Sequence, residues 1–410
     1  MSDSPTQAVI LCGGLGTRLR PFTDEIPKPM VLCNGKPFLL YLLQQLHDQG
    51  INKFVLLTGY LGEMIEDYFK DGSKFGWQIS YSFGPVGWDT GRRLWEAKPN
   101  IEDRFLLLYS DNFAPFSLEK LLETHFKNNL PLTFMVSKKN PGNISINDDG
   151  VAQKYSNNRS DKDANYVEIG YMIIEKDLTF SYFDNPDCSF SSVINLMVSN
   201  HQVGTWIQND SYQSISDPTR WKKTEKYLLK DKIIFIDRDG IINYKAPSGE
   251  YITRWEDFKI IADSFDVMKS LSQKGFKFII ITNQAGIARK KIKSSELSRI
   301  HTNLIDLCQK SGIEILKIYV CPHHWDDDCN CRKPKAGMFY AASKDFQVRL
   351  DKTLFIGDDV RDCEAAYNAG MKSLFIGDDS QLLNLRDAQK PIYFSSKLSE
   401  ILPNILNYFN

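Results

Sequence analysis

The chain has 410 residues, 42% of them hydrophobic and 25% charged, with a formal net charge of −1 at pH 7. That balance excludes a disordered chain, and it gives no general attraction to nucleic acid or to an anionic membrane, so an anionic ligand must be held by local basic groups. The length exceeds one ordinary core and predicts two domains of roughly 200 residues each, working on small molecules.

Residues Met1 to Pro5 lack the basic and apolar regions of a secretory leader, and no apolar window reaches membrane-spanning length, so the expected location is the cytoplasm. Apolar runs at 8–12, 54–58, 79–83, 105–109 and 132–136 read as strands, with helical spacing of Leu, Tyr and Phe over 37–48 and 118–126. This alternation predicts an α/β fold with a mostly parallel sheet covered on both faces. A lysine-rich helical stretch around 221–232 closes the first part, and the domains are expected at 1–229 and 230–410. Strands at 233–236, 276–281, 315–320, 353–356 and 372–376 repeat the logic, and 391–406 reads as a short strand and a closing helix. Trp88, Trp95, Trp206, Trp221 and Trp255 stand singly among polar neighbours, which predicts packing and not base stacking.

The first strand runs into Gly13-Gly14-Leu15-Gly16-Thr17-Arg18, and Pro27-Lys28-Pro29 follows. A glycine-rich turn after a strand lets backbone N–H groups approach a phosphate chain closely, and Arg18 and Lys28 supply two cations. Asp111, just past the strand at 105–109, is placed for Mg²⁺. Over residues 7–230 this combination resembles the sugar-1-phosphate nucleotidyltransferases, a mixed-sheet Rossmann-like fold. The resemblance implies that Leu11, Gly13, Gly14, Gly16, Thr17, Arg18, Lys28 and Asp111 hold the nucleoside triphosphate, that Asp111 carries the metal, and that Glu168 and Gly170 lie near the sugar. Two departures stand out. Arg92 and Arg93 in Asp89-Thr90-Gly91-Arg92-Arg93-Leu94 replace small residues of the family pattern, and Ser214 stands where a second metal-binding Asp is usual, leaving one metal or another ligand such as Asp217.

The second part carries Phe235-Ile236-Asp237-Arg238-Asp239-Gly240 and Phe355-Ile356-Gly357-Asp358-Asp359, each after a strand. Acids ending two separate strands of an open α/β sheet can converge on one metal and one phosphate. Asp237 is placed to attack a phosphorus and Asp239 to donate and then accept a proton. Thr282 offers donors to the phosphoryl oxygens and Lys333 a fixed charge, while Asp358 and Asp359 face Mg²⁺. Cys321-Pro322-His323-His324 and Cys329-Asn330-Cys331 offer two closely spaced ligand pairs, a Cys₃His set suited to a structural, tetrahedral Zn²⁺ that pins the loop into Arg332 and Lys333; the other five cysteines are expected to be reduced thiols.

These residues resemble the haloacid dehalogenase superfamily, a parallel-sheet Rossmann-like fold, over about residues 232–380. The segments around Thr282-Asn283-Gln284-Ala285-Gly286-Ile287-Ala288-Arg289 and Cys331-Arg332-Lys333-Pro334 resemble more closely the phosphatases that remove the 7-phosphate of D-glycero-D-manno-heptose 1,7-bisphosphate. That implies Asp237, Asp239 and Asp358 at Mg²⁺, His323 and not His324 at the zinc, and Asn283 and Arg332 at the substrate. The two resemblances together imply a bifunctional enzyme of nucleotide-activated heptose synthesis, with GTP favoured. Another sugar phosphate, CTP or UTP, and a non-catalytic sensing N-domain stay open, as does a homo-oligomer.

Overall fold

The structure, a computed structural model, describes residues 4–156, 163–229, 231–247 and 249–409, and it divides into two compact units, Met1–Leu228 and Leu229–Asn410. In the first unit a nine-stranded mixed sheet is built on the parallel set Gln78–Phe83, Lys53–Thr58, Gln7–Leu11 and Arg104–Tyr109. Gln7–Leu11 is buried along its whole length, as a central strand covered on both faces must be. The long strand Tyr166–Glu175 then pairs antiparallel with both Arg104–Tyr109 and Leu132–Lys138. Sequence reading misses this strand because Glu168 and Gly170 interrupt its apolar run, at the place where its register shifts. Two apolar clusters cover the faces, one around Phe38, Leu42 and Phe54, the other around Phe105, Phe134 and Phe190.

The second unit is a six-stranded, wholly parallel sheet. Its spatial order is Ile315–Cys321, Lys277–Asn283, Ile233–Ile236, Leu354–Gly357, Lys372–Ile376 and Tyr393–Ser395. Chain order therefore reverses between Ile233–Ile236 and Leu354–Gly357, and ligands of doubly wound sheets bind at the carboxyl ends of such a switch point. The helix Leu402–Phe409 closes the unit by burying Ile405 and Phe409. Among the described residues no helix is long and apolar enough to cross a membrane.

Candidate active sites

At the switch point the Asp237 N–H donates to the Ile356 carbonyl at 2.8 Å, so the acid-bearing loop starts under control of the neighbouring strand. Asp237, Asp358 and Asp362 offer carboxylate oxygens that all lie within 4.8 Å of one another. Lys333, only 4% exposed, bridges Asp237 and Asp362 at 2.8 Å each and donates to the Ile281 carbonyl. Burial pushes the Asp237 carboxyl up to about 7, against the pull of Lys333; burial likewise raises Asp358 to about 6, against Lys245 at 2.7 Å. Charged groups this crowded need a further cation to settle them, and Asp358 Oδ1 is buried without a hydrogen-bond partner. A Cβ on Gly240, at φ +94°, would lie 1.8 Å from Asp358 Oδ2, so glycine is required for the loop to approach. The donor set fits a hard divalent ion such as Mg²⁺.

Asp359 and Asp239 stand outside this cluster of three while lining the same cavity as Asp237. Asp359 caps the helix Val360–Ala369 and pairs with Arg361, while Asp362, three residues on, turns back to accept from the N–H groups of Asp358 and Asp359. The Asp239 carboxylate is held by other partners. It accepts two bonds from Arg238 and one each from Asn243 and Gln284, which with burial opposing hold it below the usual carboxylate range. A cavity of about 110 Å³ gathers Asp237, Asp239, Thr282, Asn283, Lys333 and Asp359, with Lys245, Arg361 and Asp362 unanticipated. Asn283 clamps Lys333 through reciprocal bonds to its backbone at 3.1 Å. Arg332 lines an adjoining cavity of about 340 Å³ with Trp325, Lys335 and Arg361, and its Nη1 is buried with no partner among the described residues.

Arg238, fully buried, also donates to His301 Nε2 at 2.9 Å. Burial, then the Arg238 charge, push His301 down to about 3, so the folded ring stays neutral while the unfolded one takes a proton below its ordinary 6.5. Stability from this contact is therefore present above pH 6.5 and lost as pH falls toward 3. By pH 5 the loss is about 2 kcal/mol, and a His301→Gln variant will show a flatter acid limb in urea titrations from pH 7 to pH 5.

Next to the phosphatase cavity, Cys321 Sγ lies 3.6 Å from Cys329 Sγ and 3.7 Å from His323 Nδ1, and Cys331 Sγ lies 3.2 Å from His323 Nδ1 and 3.6 Å from Cys329 Sγ. These are edge lengths of a tetrahedron around an ion with zinc-like bond lengths, and the four could hold one. His324 faces Asp326 instead, at 3.1 Å.

In the first unit a cavity of about 460 Å³ is lined by Leu11, Gly13, Gly14, Gly16, Thr17, Arg18, Lys28 and Asp111 together. Lys28 Nζ meets Asp111 Oδ2 at 2.5 Å. Glu168 and Gly170 do not line the cavity; Gly170 packs on the ring of Tyr109, which does. Asp217 is taken up as the N-cap of the helix Pro218–Tyr227, and Ser216 reaches the cavity in its place. Trp88, expected to serve packing alone, lines the cavity with Arg92 over its ring at 5.2 Å.

Fold and sites define a two-enzyme chain, a nucleotidyltransferase unit followed by a haloacid dehalogenase-type phosphatase unit. The nucleotidyl transferase family model matches residues 7–176, and the polynucleotide kinase 3 phosphatase model matches residues 232–381. The chain is 38% identical over 145 residues to the D-glycero-beta-D-manno-heptose-1,7-bisphosphate 7-phosphatase of Pseudomonas putida, an alignment covering 35% of this chain and 82% of that one. It is 36% identical over 148 residues to the D-glycero-alpha-D-manno-heptose-1,7-bisphosphate 7-phosphatase of Campylobacter jejuni, covering 36% and 83%. The solved structure of HddC from Yersinia pseudotuberculosis overlaps 54% of this chain and 99% of its own, at 22% identity and a TM-score of 0.47. By its phosphatase half the chain belongs to the D-glycero-D-manno-heptose-1,7-bisphosphate 7-phosphatase family.

Proposed function

We propose that the chain removes the 7-phosphate of D-glycero-D-manno-heptose 1,7-bisphosphate and then couples the heptose 1-phosphate to a nucleotidyl group, GTP first among the donors. The observation that carries the reading is the buried, unpartnered Nη1 of Arg332 in a cavity adjoining the phosphate site, a donor that suits a second anionic group on the same substrate. The relatives of both anomeric specificities support the sugar, and the resemblance to the heptose route that joins these two activities supports GTP.

In the phosphatase unit Asp237 attacks the phosphorus, the ester oxygen leaves, and a phosphoaspartate forms; water then releases phosphate. Thr282 and Lys333 hold phosphoryl oxygens, and Asn283 holds Lys333. Asp239, ionised beside Arg238, is ready to take the proton of water in the second half; to give a proton to the leaving oxygen in the first half it must leave Arg238 and take one up from solvent. Mg²⁺, held by Asp237 and Asp358, supplies charge neutralisation. In the first unit the glycine turn, Arg18 and Lys28 hold the triphosphate and Asp111 its metal. Zn²⁺ on Cys321, His323, Cys329 and Cys331 fixes the loop that delivers Arg332 and Lys333.

Elemental analysis will find one zinc per chain, lost in Cys331→Ser, and that variant will lose roughly 100-fold in phosphatase kcat/KM through misplacement of the two cations. The function is tested by a phosphorus NMR time course with Mg²⁺, each anomer of the bisphosphate and each nucleoside triphosphate separately. Free phosphate followed by a sugar-nucleotide signal with GTP is expected. Free phosphate without a sugar nucleotide refutes the second activity, and no phosphate refutes the heptose reading.

A further inference from the structure

Arg93 occupies the helix Thr90–Ala97, yet its side chain is only 5% exposed and its guanidinium sits beneath the glycine turn. Nη1 donates to the carbonyls of Thr58 at 2.7 Å and Gly84 at 3.1 Å, and Nη2 to those of Pro85 at 2.7 Å and Gly13 at 3.4 Å. Three separate segments thus meet on one cation. Three glycines make room for it: a Cβ at Gly13 would lie 2.4 Å from Arg93 Cζ, at Gly59 2.7 Å from Nη2, and at Gly84 3.2 Å from Nη1. All four partners are neutral carbonyl oxygens. The Asp89 carboxylate, whose charge acts on Arg93 from a distance, accepts from the Thr90 N–H at 2.6 Å instead. A buried charge so placed is costly unless something anionic answers it.

The residues that follow two of those carbonyls, Gly14 and Val86, both line the 460 Å³ cavity, as does Arg93 itself. In a planar trans peptide the N–H points opposite to the C=O, so a carbonyl drawn toward the guanidinium turns the next N–H away from it. We propose that Arg93 is the positioning residue of the nucleotide site: it draws back the Gly13 and Pro85 carbonyls so that the Gly14 and Val86 N–H groups face the phosphate chain, and its unneutralised charge adds to the attraction. Arg93 thereby gives the turn a net positive base independent of the bound metal. The inference rests on the nucleotide reading of this cavity.

The test is calorimetric titration of the full chain with inorganic tripolyphosphate and Mg²⁺, beside amide resonances of Gly14 and Val86. In Arg93→Met the affinity falls roughly thirtyfold, the scale of a lost charge-assisted contact, and the shifts that tripolyphosphate induces at both amides disappear. Arg93→Lys, which keeps the charge but not the fork, loses less affinity yet still loses the two amide shifts. Native-like affinity in Arg93→Met overturns the inference while leaving the nucleotide reading intact. Loss of binding in both variants together with a collapsed melting temperature overturns it in favour of a purely structural staple. A native chain that ignores tripolyphosphate overturns the nucleotide reading, and the inference with it.

Discussion

Asp237→Asn will lose phosphatase turnover by on the order of 10⁴-fold or more while its melting temperature stays level or rises. The first half follows from removing the attacking oxygen. The second follows from the charges around it: Asp358, Asp239 and Asp362 all push the Asp237 carboxyl up, and Lys333 keeps Asp362 as a partner when one acid is neutralised. Removing a negative charge from such a cluster relieves repulsion and leaves no cation stranded. Phosphate release and a thermal melt on the same sample check both halves, and a large drop in melting temperature would show Asp237 to be a structural ion-pair member. Nucleotidyl transfer to a supplied sugar 1-phosphate will persist.

The complementary result is expected of Asp111→Ala. Pyrophosphate release will fall roughly 10³-fold, since a metal at the reacting phosphate contributes several kcal/mol of charge stabilisation, while phosphatase turnover stays as in the native chain. Lys28 loses its 2.5 Å partner in this variant, so triphosphate binding weakens less than turnover does. Pyrophosphate release coupled to sugar-nucleotide formation, followed with GTP, measures the effect. A native chain that releases none, and an Asp111→Ala chain altered only in ligand binding, would make the first unit a sensor.

The features read from the residues were those that a contiguous stretch of backbone dictates. The glycine turn with Arg18, and the acids that end the strands at Ile236 and Gly357, are fixed by the turn from strand to loop, so sequence neighbours stay neighbours in space. Lys245 reaches Asp358 from more than a hundred residues away in the chain, and Arg238, in the loop after Ile236, meets His301 on the helix Ser294–Lys310; only tertiary packing joins them. Asp362 was within reach, because an acid three residues after an N-cap Asp has capping-box spacing and folds back toward the loop before it. Arg93 looked like a loss of the family pattern because the pattern carries small residues there, and nothing local says that three glycines elsewhere have opened a place for it. The strands Ile144–Ile146, Ala152–Tyr155 and Val203–Gln208 escaped for a different reason, being short or mixed in polarity, so their pairing partners decide their conformation.

The bond from the Asp237 N–H to the Ile356 carbonyl has a consequence for how the phosphatase wears out. The spacing of its two principal acids is inherited from the pairing of Ile236 with Ile356 at the centre of a parallel sheet, and the side chains themselves set little of it. Central pairs are the last to open in a folded domain. The reacting pair is thus as durable as the domain: nothing short of parting the two central strands moves one acid from the other.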